Sequence, residues 1–486
     1  MWKKFTGWVH KHELLLIILG VTVLLRIPSW FEPYWYGDEG IYLTIGQALR
    51  RGIHLYSQIH DNKPPLLYFV AALAGGNQFW FKFLATIWNL ATVGVFYKLM
   101  GKIGATKKTG WLITLVFAFL TAWPKLEGNI ANAELFFLLP TILALYVLWG
   151  KKASLKKAFV AGLVLGCGVL FKMPAVLEAG IWPVIWLIYE DREWWKKTLM
   201  LGIGIAVPVA VSVIYYWLAG AGKEYLIAAW AQNLPYLSSW KIAGGGTGVF
   251  SLKGRVAVAC VLLVPVIGLT RRIGIRGTIV GLWGVITLFA SLLSGRPYPH
   301  YMLQGAGVLA VSFWLLGWGK RAEKIIGAGV ILGFMGAAMI FKFYGYPAAG
   351  YYENFIKWVG RQKTTGEYFA WFDNQVNNNY EIAAVVAGGS KPNDKLFIWG
   401  DQPVIYALAK RKSAGKYIAK YHIKDFGGER TTMQLLTGEP PKYVVSFGED
   451  DQLPGFTSWL TNYYKLQKSV GQAKIYRLSI LGGKYN

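Results

Sequence analysis

About eleven long apolar runs constrain this chain more than any other feature of it. They lie near 13–30, 78–100, 110–124, 133–150, 157–171, 174–189, 198–219, 251–270, 277–294, 302–318 and 324–344. The hydrocarbon core of a bilayer takes roughly 20 apolar residues of helix to cross. Inside it, only helices and closed barrels satisfy every backbone polar group. Runs of this kind, in a chain that is 54% hydrophobic and 16% aromatic, do not suit a soluble protein. The expected fold class is mainly α: a polytopic transmembrane helical bundle of about eleven spans.

The formal net charge of +26 is of a size that nucleic-acid binding would explain. Its distribution excludes that class. The basic residues cluster at the ends of apolar runs, and no DNA- or RNA-binding motif lies among them. Lys3, Lys4 and Lys11 put the N-terminus in the cytoplasm. Lys102, Lys107 and Lys108 then fall inside, as do Lys151, Lys152, Lys156 and Lys157. The groups at Arg192–Lys197, Arg271–Arg276 and Lys320–Lys324 follow suit, provided the short apolar piece 65–75 does not cross. Arg26 to Trp30 offers no small-residue cleavage site, so the first run reads as an uncleaved span. The expected localisation is the cell (inner or plasma) membrane, multi-pass. The 31–77 loop, the 124–132 connector, the 220–250 loop, the 294–301 turn and everything after about residue 345 lie outside.

After that point the chain changes character. Apolar runs shrink to strand length at 395–399, 442–447 and 474–478, with helical patterns at 380–387 and 404–410 between them. Turns are expected at 391–394 and at Gly427-Gly428. The expected division is therefore 1–345, a transmembrane domain, and 346–486, an extracytoplasmic soluble α/β domain. Cys167 and Cys260 both sit in apolar runs and give neither a disulfide framework nor a metal-ligand spacing. Gly244 to Gly248 lacks the Lys-Ser/Thr of a phosphate loop and reads as a loop tip, so no nucleotide cofactor is expected.

The outer segments hold the unusual polar residues. Between Tyr36 and Tyr68 stand Asp38, Glu39, His54, His60, Asp61 and Lys63, more ionisable groups than a membrane connector needs. Glu39 to Arg51 reads as an amphipathic helix lying in the interface, with Ile41, Ile45, Ala48 and Leu49 on one face and Gly52 as its stop. Two readings of Asp38 stand: a helix cap, or a carboxylate acting as base on a sugar hydroxyl. Lys63 reads either as a snorkelling cation or as a point charge for a lipid phosphate. Glu134 stands at the mouth of a span, where a charge is costly unless it has a role, or serves as a helix N-terminal acid. Glu127, in the same connector, reads as solvated. Lys172 is a cation on the outer side, against the prevailing bias, and a candidate for anionic lipid. Arg296-Pro-Tyr298-Pro-His300-Tyr301 is a stiff polar turn whose Arg suits a phosphate through bidentate bonds, or an aromatic-belt anchor. Gln232, Asn233 and Tyr236 are hydrogen-bonding groups of the kind that hold a sugar.

Taken in order, Gly37-Asp38-Glu39, Asn62-Lys63-Pro64-Pro65-Leu66 and Gly295-Arg296-Pro-Tyr-Pro-His300-Tyr301 resemble the GT-C glycosyltransferases. The match is to the bacterial branch related to protein O-mannosyltransferases and the aminoarabinose transferase of lipid A, over roughly 10–345. The resemblance implies a first outer loop with juxtamembrane helices, a polyprenyl-phosphate-linked sugar donor, and inverting transfer to a lipid, glycan or protein acceptor. On it, Asp38 matches the catalytic aspartate. Lys63 matches a lysine that meets the lipid phosphate, and Glu134 matches a second acidic residue of the second outer loop. Asn62 departs from the pattern: the aminoarabinose branch carries Glu before Lys-Pro, and Asp61 is one residue off.

The expected site is Asp38 as catalytic base. Glu39, His60, Asp61, Lys63, Glu134, Lys172, Arg296, Tyr298, His300 and Tyr301 are the expected substrate-binding residues. A divalent cation (Mg, Mn or Zn) is a candidate cofactor, with Asp38, Glu134 and His300 as candidate ligands. The expected partners are the donor, the acceptor and membrane lipids, with no nucleic acid. Two other readings remain: a lipid or glycan transporter without bond chemistry, which calls for polar groups near the midplane, and a scaffold whose outer domain binds glycans.

Overall fold

A computed structural model describes residues 2–150, 153–189, 191–236, 247–448 and 452–479. Lys151, Lys152 and Gly244 to Gly246 lie outside the described residues, as do the side chains of Lys3, Lys4, Lys11 and Tyr236.

Every apolar run is helical. The chain enters as α1 (Trp2–Trp30), then α2 (Gly37–Arg50) and α3 (Leu66–Leu73), followed by α4 (Gln78–Ile103) and α5 (Lys107–Ala122). The bundle continues through α6 (Ala133–Leu148), α7 (Leu155–Val169), α8 (Ile181–Ile188) and α9 (Trp194–Leu218). Two short helices, α10 (Gly222–Leu226) and α11 (Asn233–Tyr236), precede α12 (Leu252–Gly268), α13 (Thr270–Ser291), α14 (Ala306–Trp318) and α15 (Arg321–Ile340). Among the described residues, six helices are long and apolar enough to cross a membrane. Small polar residues start several of them: Asn77, Thr106, Ser154 and Ser251 each accept an N–H of the first turn. The piece at 65–75 forms only α3, eight residues and so about 12 Å long. It is too short to cross.

The rest of the chain adds α16 (Ala348–Val359), α17 (Thr365–Ala370), α18 (Val376–Gly388), α19 (Val404–Ala409), α20 (Lys420–Asp425), α21 (Glu429–Gly438) and α22 (Phe456–Tyr463). Of these, α18 to α22 pack on a five-stranded sheet: β1 (Lys395–Trp399), β2 (Lys412–Ser413), β3 (Tyr443–Ser446), β4 (Tyr464–Val470) and β5 (Ala473–Leu478), in the order β2-β1-β3-β5-β4. β1 runs parallel to β2 and β3, while β5 is antiparallel to β3 and β4. The expected α/β character and its strands at 395, 443 and 474 are present. β2 and β4 escaped the sequence reading, one because it is two residues long and the other because its middle is exposed and polar.

The helix α2 is not the interfacial helix the sequence suggested. Residues on both of its faces are buried. Ile41 and Ile45 share one apolar core with Ile398, Val404 and Tyr406. Two glycines allow this. A Cβ at Gly40 would stand 2.8 Å from the Val404 nitrogen, and one at Gly46 would stand 2.6 Å from the Ala71 carbonyl carbon. Backbones therefore approach on both sides, α19 on one and α3 on the other. Thr44 and Gln47 add bonds to the Pro403 carbonyl at 3.2 Å and the Ala407 carbonyl at 3.0 Å. The start of α2 is thus clamped between the bundle and the C-terminal segment.

Candidate active site

A cavity of about 1060 Å³ opens at the end of the bundle that carries the 31–77 loop. One wall comes from the start of α2 and from Asn62-Lys63-Pro64. A second comes from Glu134 and Lys172, a third from Arg296, Tyr298, His300 and Tyr301, and a fourth from Asp401, Tyr421, His422 and Asp425 of the C-terminal segment.

Asp38 is not a cap. The N-cap position of α2 is Tyr36, which makes no side-chain capping bond, and Asp38 sits inside the first turn. One turn later Tyr42 donates its hydroxyl to Asp38 Oδ2 at 3.0 Å. The Lys63 ammonium lies 3.7 Å from the same oxygen, and the Asp38 side chain is 31% exposed, into the cavity. Burial pushes this carboxyl up. Lys63, with His300 and the Tyr42 hydroxyl, outweighs that and brings it below the ordinary carboxylate value. The group is ionised at neutral pH, as a base must be.

Lys63 is held from several sides. Asp61 Oδ2 is 3.6 Å from its ammonium, the Tyr42 ring centroid is 5.0 Å away, and its carbonyl accepts from the Tyr56 hydroxyl at 2.8 Å. Asp61 itself is fully buried behind Lys63 and does not line the cavity. It accepts from the Tyr68 hydroxyl at 2.6 Å and the Asn62 N–H at 2.8 Å, with His422 Nε2 3.6 Å away. Burial raises the Asp61 carboxyl, but Lys63 and His422 bring it below its ordinary value. Asp61 therefore orients Lys63. His60 is also behind the wall, packed at 5.0 Å from Tyr417 and 4.9 Å from Phe426. Burial drives its pKa to about 3, so it is a neutral ring. Asn233 donates to the Asn62 carbonyl at 2.8 Å and pins the same loop, and both Gln232 and Asn233 reach the cavity.

Glu39 points away from the cavity. It accepts from the Ala131 N–H at 2.7 Å and sits 3.1 Å from the Lys82 ammonium. Lys82 also meets Glu32 Oε2 at 2.6 Å and the Asn129 carbonyl at 3.2 Å. Glu32 in turn accepts from Asn129 at 2.8 Å and from the Tyr351 hydroxyl at 2.6 Å. Two buried carboxylates share one lysine, and burial pushes Glu39 up to about 7. This network joins the segment just past α1 to α2, α4, the 124–132 connector and α16. Sequence reasoning missed Glu32 and Lys82, although a lysine inside an apolar run was a usable signal.

Glu127, read from sequence as solvated, is 1% exposed. Its φ of 55° closes the turn Pro124–Leu126 and swings the side chain inward. There it pairs with His300 Nδ1 and accepts from the Tyr36 hydroxyl at 3.1 Å. Glu134 pairs with Lys172, whose ammonium lies 4.3 Å from the Tyr301 ring centroid. Tyr298 stacks on His300 at 5.7 Å and hydrogen-bonds Arg296. Asp401, Tyr421, His422 and Asp425 also escaped the sequence reading, because nothing local marks a distant segment that folds over a cavity.

The three candidate metal ligands do not converge. Glu134 faces Lys172, His300 faces Glu127 and Asp38 faces Lys63. Among the described residues, no group of three or more His, Cys, Asp or Glu side chains is placed to hold an ion. That donor set does not fit a resident cation, so no step below passes through one.

The fold and its long apolar helices are those of a polytopic membrane protein. No protein-family model matches the chain, and no curated protein matches it. Among solved structures, ArnT from Cupriavidus metallidurans bound to undecaprenyl phosphate is similar, with a TM-score of 0.60 at 13% identity. That match covers 99% of this chain and 100% of that one. ArnT from the same organism in the apo state gives a TM-score of 0.57 at 13% identity, over 97% of this chain and 98% of that one. The resemblance seen in the motifs therefore holds at the level of fold.

Proposed function

We propose that this chain is an integral membrane glycosyltransferase. It transfers a sugar from a polyprenyl-phosphate-linked donor to an acceptor on the extracytoplasmic side, with inversion, and Asp38 is the general base. The observation that carries the reading is one cavity wall on which an ionised carboxylate stands beside Lys63, with Arg296 lining the same cavity. That pairs a proton acceptor with cations suited to a phosphate. One structure of the same fold is bound to undecaprenyl phosphate, which supports a polyprenyl donor.

In this reading the acceptor hydroxyl gives its proton to the Asp38 carboxylate. Its oxygen forms the bond to the anomeric carbon as the bond from that carbon to the phosphate oxygen breaks. Polyprenyl phosphate leaves with the electron pair, and Lys63 and Arg296 meet the added charge. Donor binding also engages Lys63, the cation that holds Asp38 below its ordinary value. A phosphate drawing Lys63 away makes Asp38 a stronger base when a donor is present. Asp61, Tyr56 and Asn233 keep the lysine loop in place. The cytoplasmic placement of the N-terminus and the outer placement of the cavity rest on the shared side of the basic clusters. They rest equally on an α3 too short to cross.

The test is transfer of radiolabelled sugar from polyprenyl-phosphate donors by the purified protein in vesicles, with the new linkage assigned by NMR. Transfer with inverted configuration supports the reading. Movement of the donor across the vesicle without release of polyprenyl phosphate would support lipid transport instead.

A further inference from the structure

The helix α16 has three faces, and transfer chemistry uses none of them directly. At 3.6 residues per turn, Tyr351, Asn354 and Trp358 share the first. It faces protein: Tyr351 donates to Glu32 at 2.6 Å, Asn354 to the Tyr368 carbonyl at 3.1 Å, and Trp358 stacks on Tyr368 at 4.6 Å. The second face carries the Glu353–Lys357 ion pair, whose side chains are 61% and 44% exposed. The third holds Tyr352, Phe355, Ile356 and Val359, an apolar stripe centred roughly 130° from the charged face. On it, Ile356 is 67% exposed and Val359 60% exposed.

That stripe continues the outer surface of two spans. The Tyr352 hydroxyl donates to the Leu25 carbonyl at 3.2 Å, and Leu25 lies within the candidate span His12–Trp30. Phe31, at the end of α1, packs against Phe355 at 5.9 Å and Trp358 at 6.2 Å. Leu24 on α1 is 66% exposed and Trp80 at the start of α4 is 54% exposed. Arg361, just past the helix end, is exposed as well.

We propose that α16 docks on lipid. It lies in the leaflet on the cavity side of the membrane, with Ile356 and Val359 at the acyl boundary. The Glu353–Lys357 face stays in water, and Arg361 sits among headgroup phosphates. Because Tyr351 on the same helix holds Glu32, this seat also steadies the ion network beneath the start of α2. The inference rests on the membrane placement of α1 and α4, not on the transfer chemistry, so its failure leaves the glycosyltransferase reading standing.

The test uses the full chain with Cys167→Ser and Cys260→Ser, in vesicles of phosphatidylethanolamine and phosphatidylglycerol. Nitroxide labels are placed one at a time through Ile356→Cys, Val359→Cys and Glu353→Cys. Leu24→Cys serves as the lipid-facing control. Power-saturation EPR then compares access by oxygen with access by a water-soluble nickel chelate. The expected result is an oxygen-to-nickel ratio at 356 and 359 several-fold above that at 353 and close to that at 24. Nickel access at 356 and 359 equal to that at 353 overturns the proposal, since the stripe would then face water. Low access to both reagents there also overturns it, since protein would then cover the stripe.

Discussion

Asp38→Asn separates a base from a structural acid. In the fold Asp38 caps nothing, so the substitution costs little there. Asn keeps an oxygen for the Tyr42 hydroxyl at the present 3.0 Å. It loses the ion pair with Lys63, which spans 3.7 Å between partly exposed groups and leaves Lys63 with Asp61. A pair of that kind is worth about 1 kcal/mol or less. The lost charge near the positive end of α2 adds roughly 0.3–1 kcal/mol. Stability therefore falls by about 2 kcal/mol at most. Turnover should fall by roughly two to four orders of magnitude, the usual contribution of a general base. The assay is radiolabelled-sugar transfer run beside thermal unfolding in the same detergent. The wild-type pH profile adds a second readout. A carboxyl held below its ordinary value is in its base form above that lowered pKa and loses it as pH falls through it. The acid limb of kcat/KM should therefore lie below the ordinary aspartate value of about 3.9. Wild-type transfer by Asp38→Asn would refute the mechanism whatever the fold.

Lys63→Ala and Arg296→Ala should each weaken donor use with the protein still folded, read as a raised KM for the donor. Arg296→Lys should lose activity as well if the contact is bidentate; donor affinity unchanged in all of them would leave these cations as membrane anchors. Lys82→Met strands Glu32 and Glu39 in the core and should cost about 3–5 kcal/mol, seen in chemical unfolding. In the wild type, Glu39 near 7 in the fold against 4.5 unfolded means the native state holds the extra proton between those values. Stability from this group therefore declines as pH rises through that window, and thermal unfolding against pH should show the slope. Reporter fusions at about residues 105 and 400 should report opposite sides of the membrane; both on one side would break the topology.

The bundle was legible because a bilayer demands long apolar helices, and that demand is written in contiguous residues. Each apolar run from 13–30 to 324–344 became helical for that reason alone. The sequence singled out Asp38 and Lys63 because ionisable groups crowd one outer loop, and Arg296 because it stands in a stiff polar turn; all three line the cavity. Tertiary structure decided which charged residues face the cavity and which hold the fold. Asp38 and Glu39 are neighbours in sequence, yet the helical turn aims one at the cavity and the other at Lys82. Asp61 lies two residues from Lys63 and is buried behind it. Glu127 looked solvated until a left-handed turn brought it to His300. His422 reaches Asp61 across more than half the chain, and Tyr351 reaches Glu32 in the same way. Local pattern encodes periodicity and burial cost. It cannot encode a contact whose two halves are paired only once the backbones at Gly40 and Gly46 have closed against their neighbours.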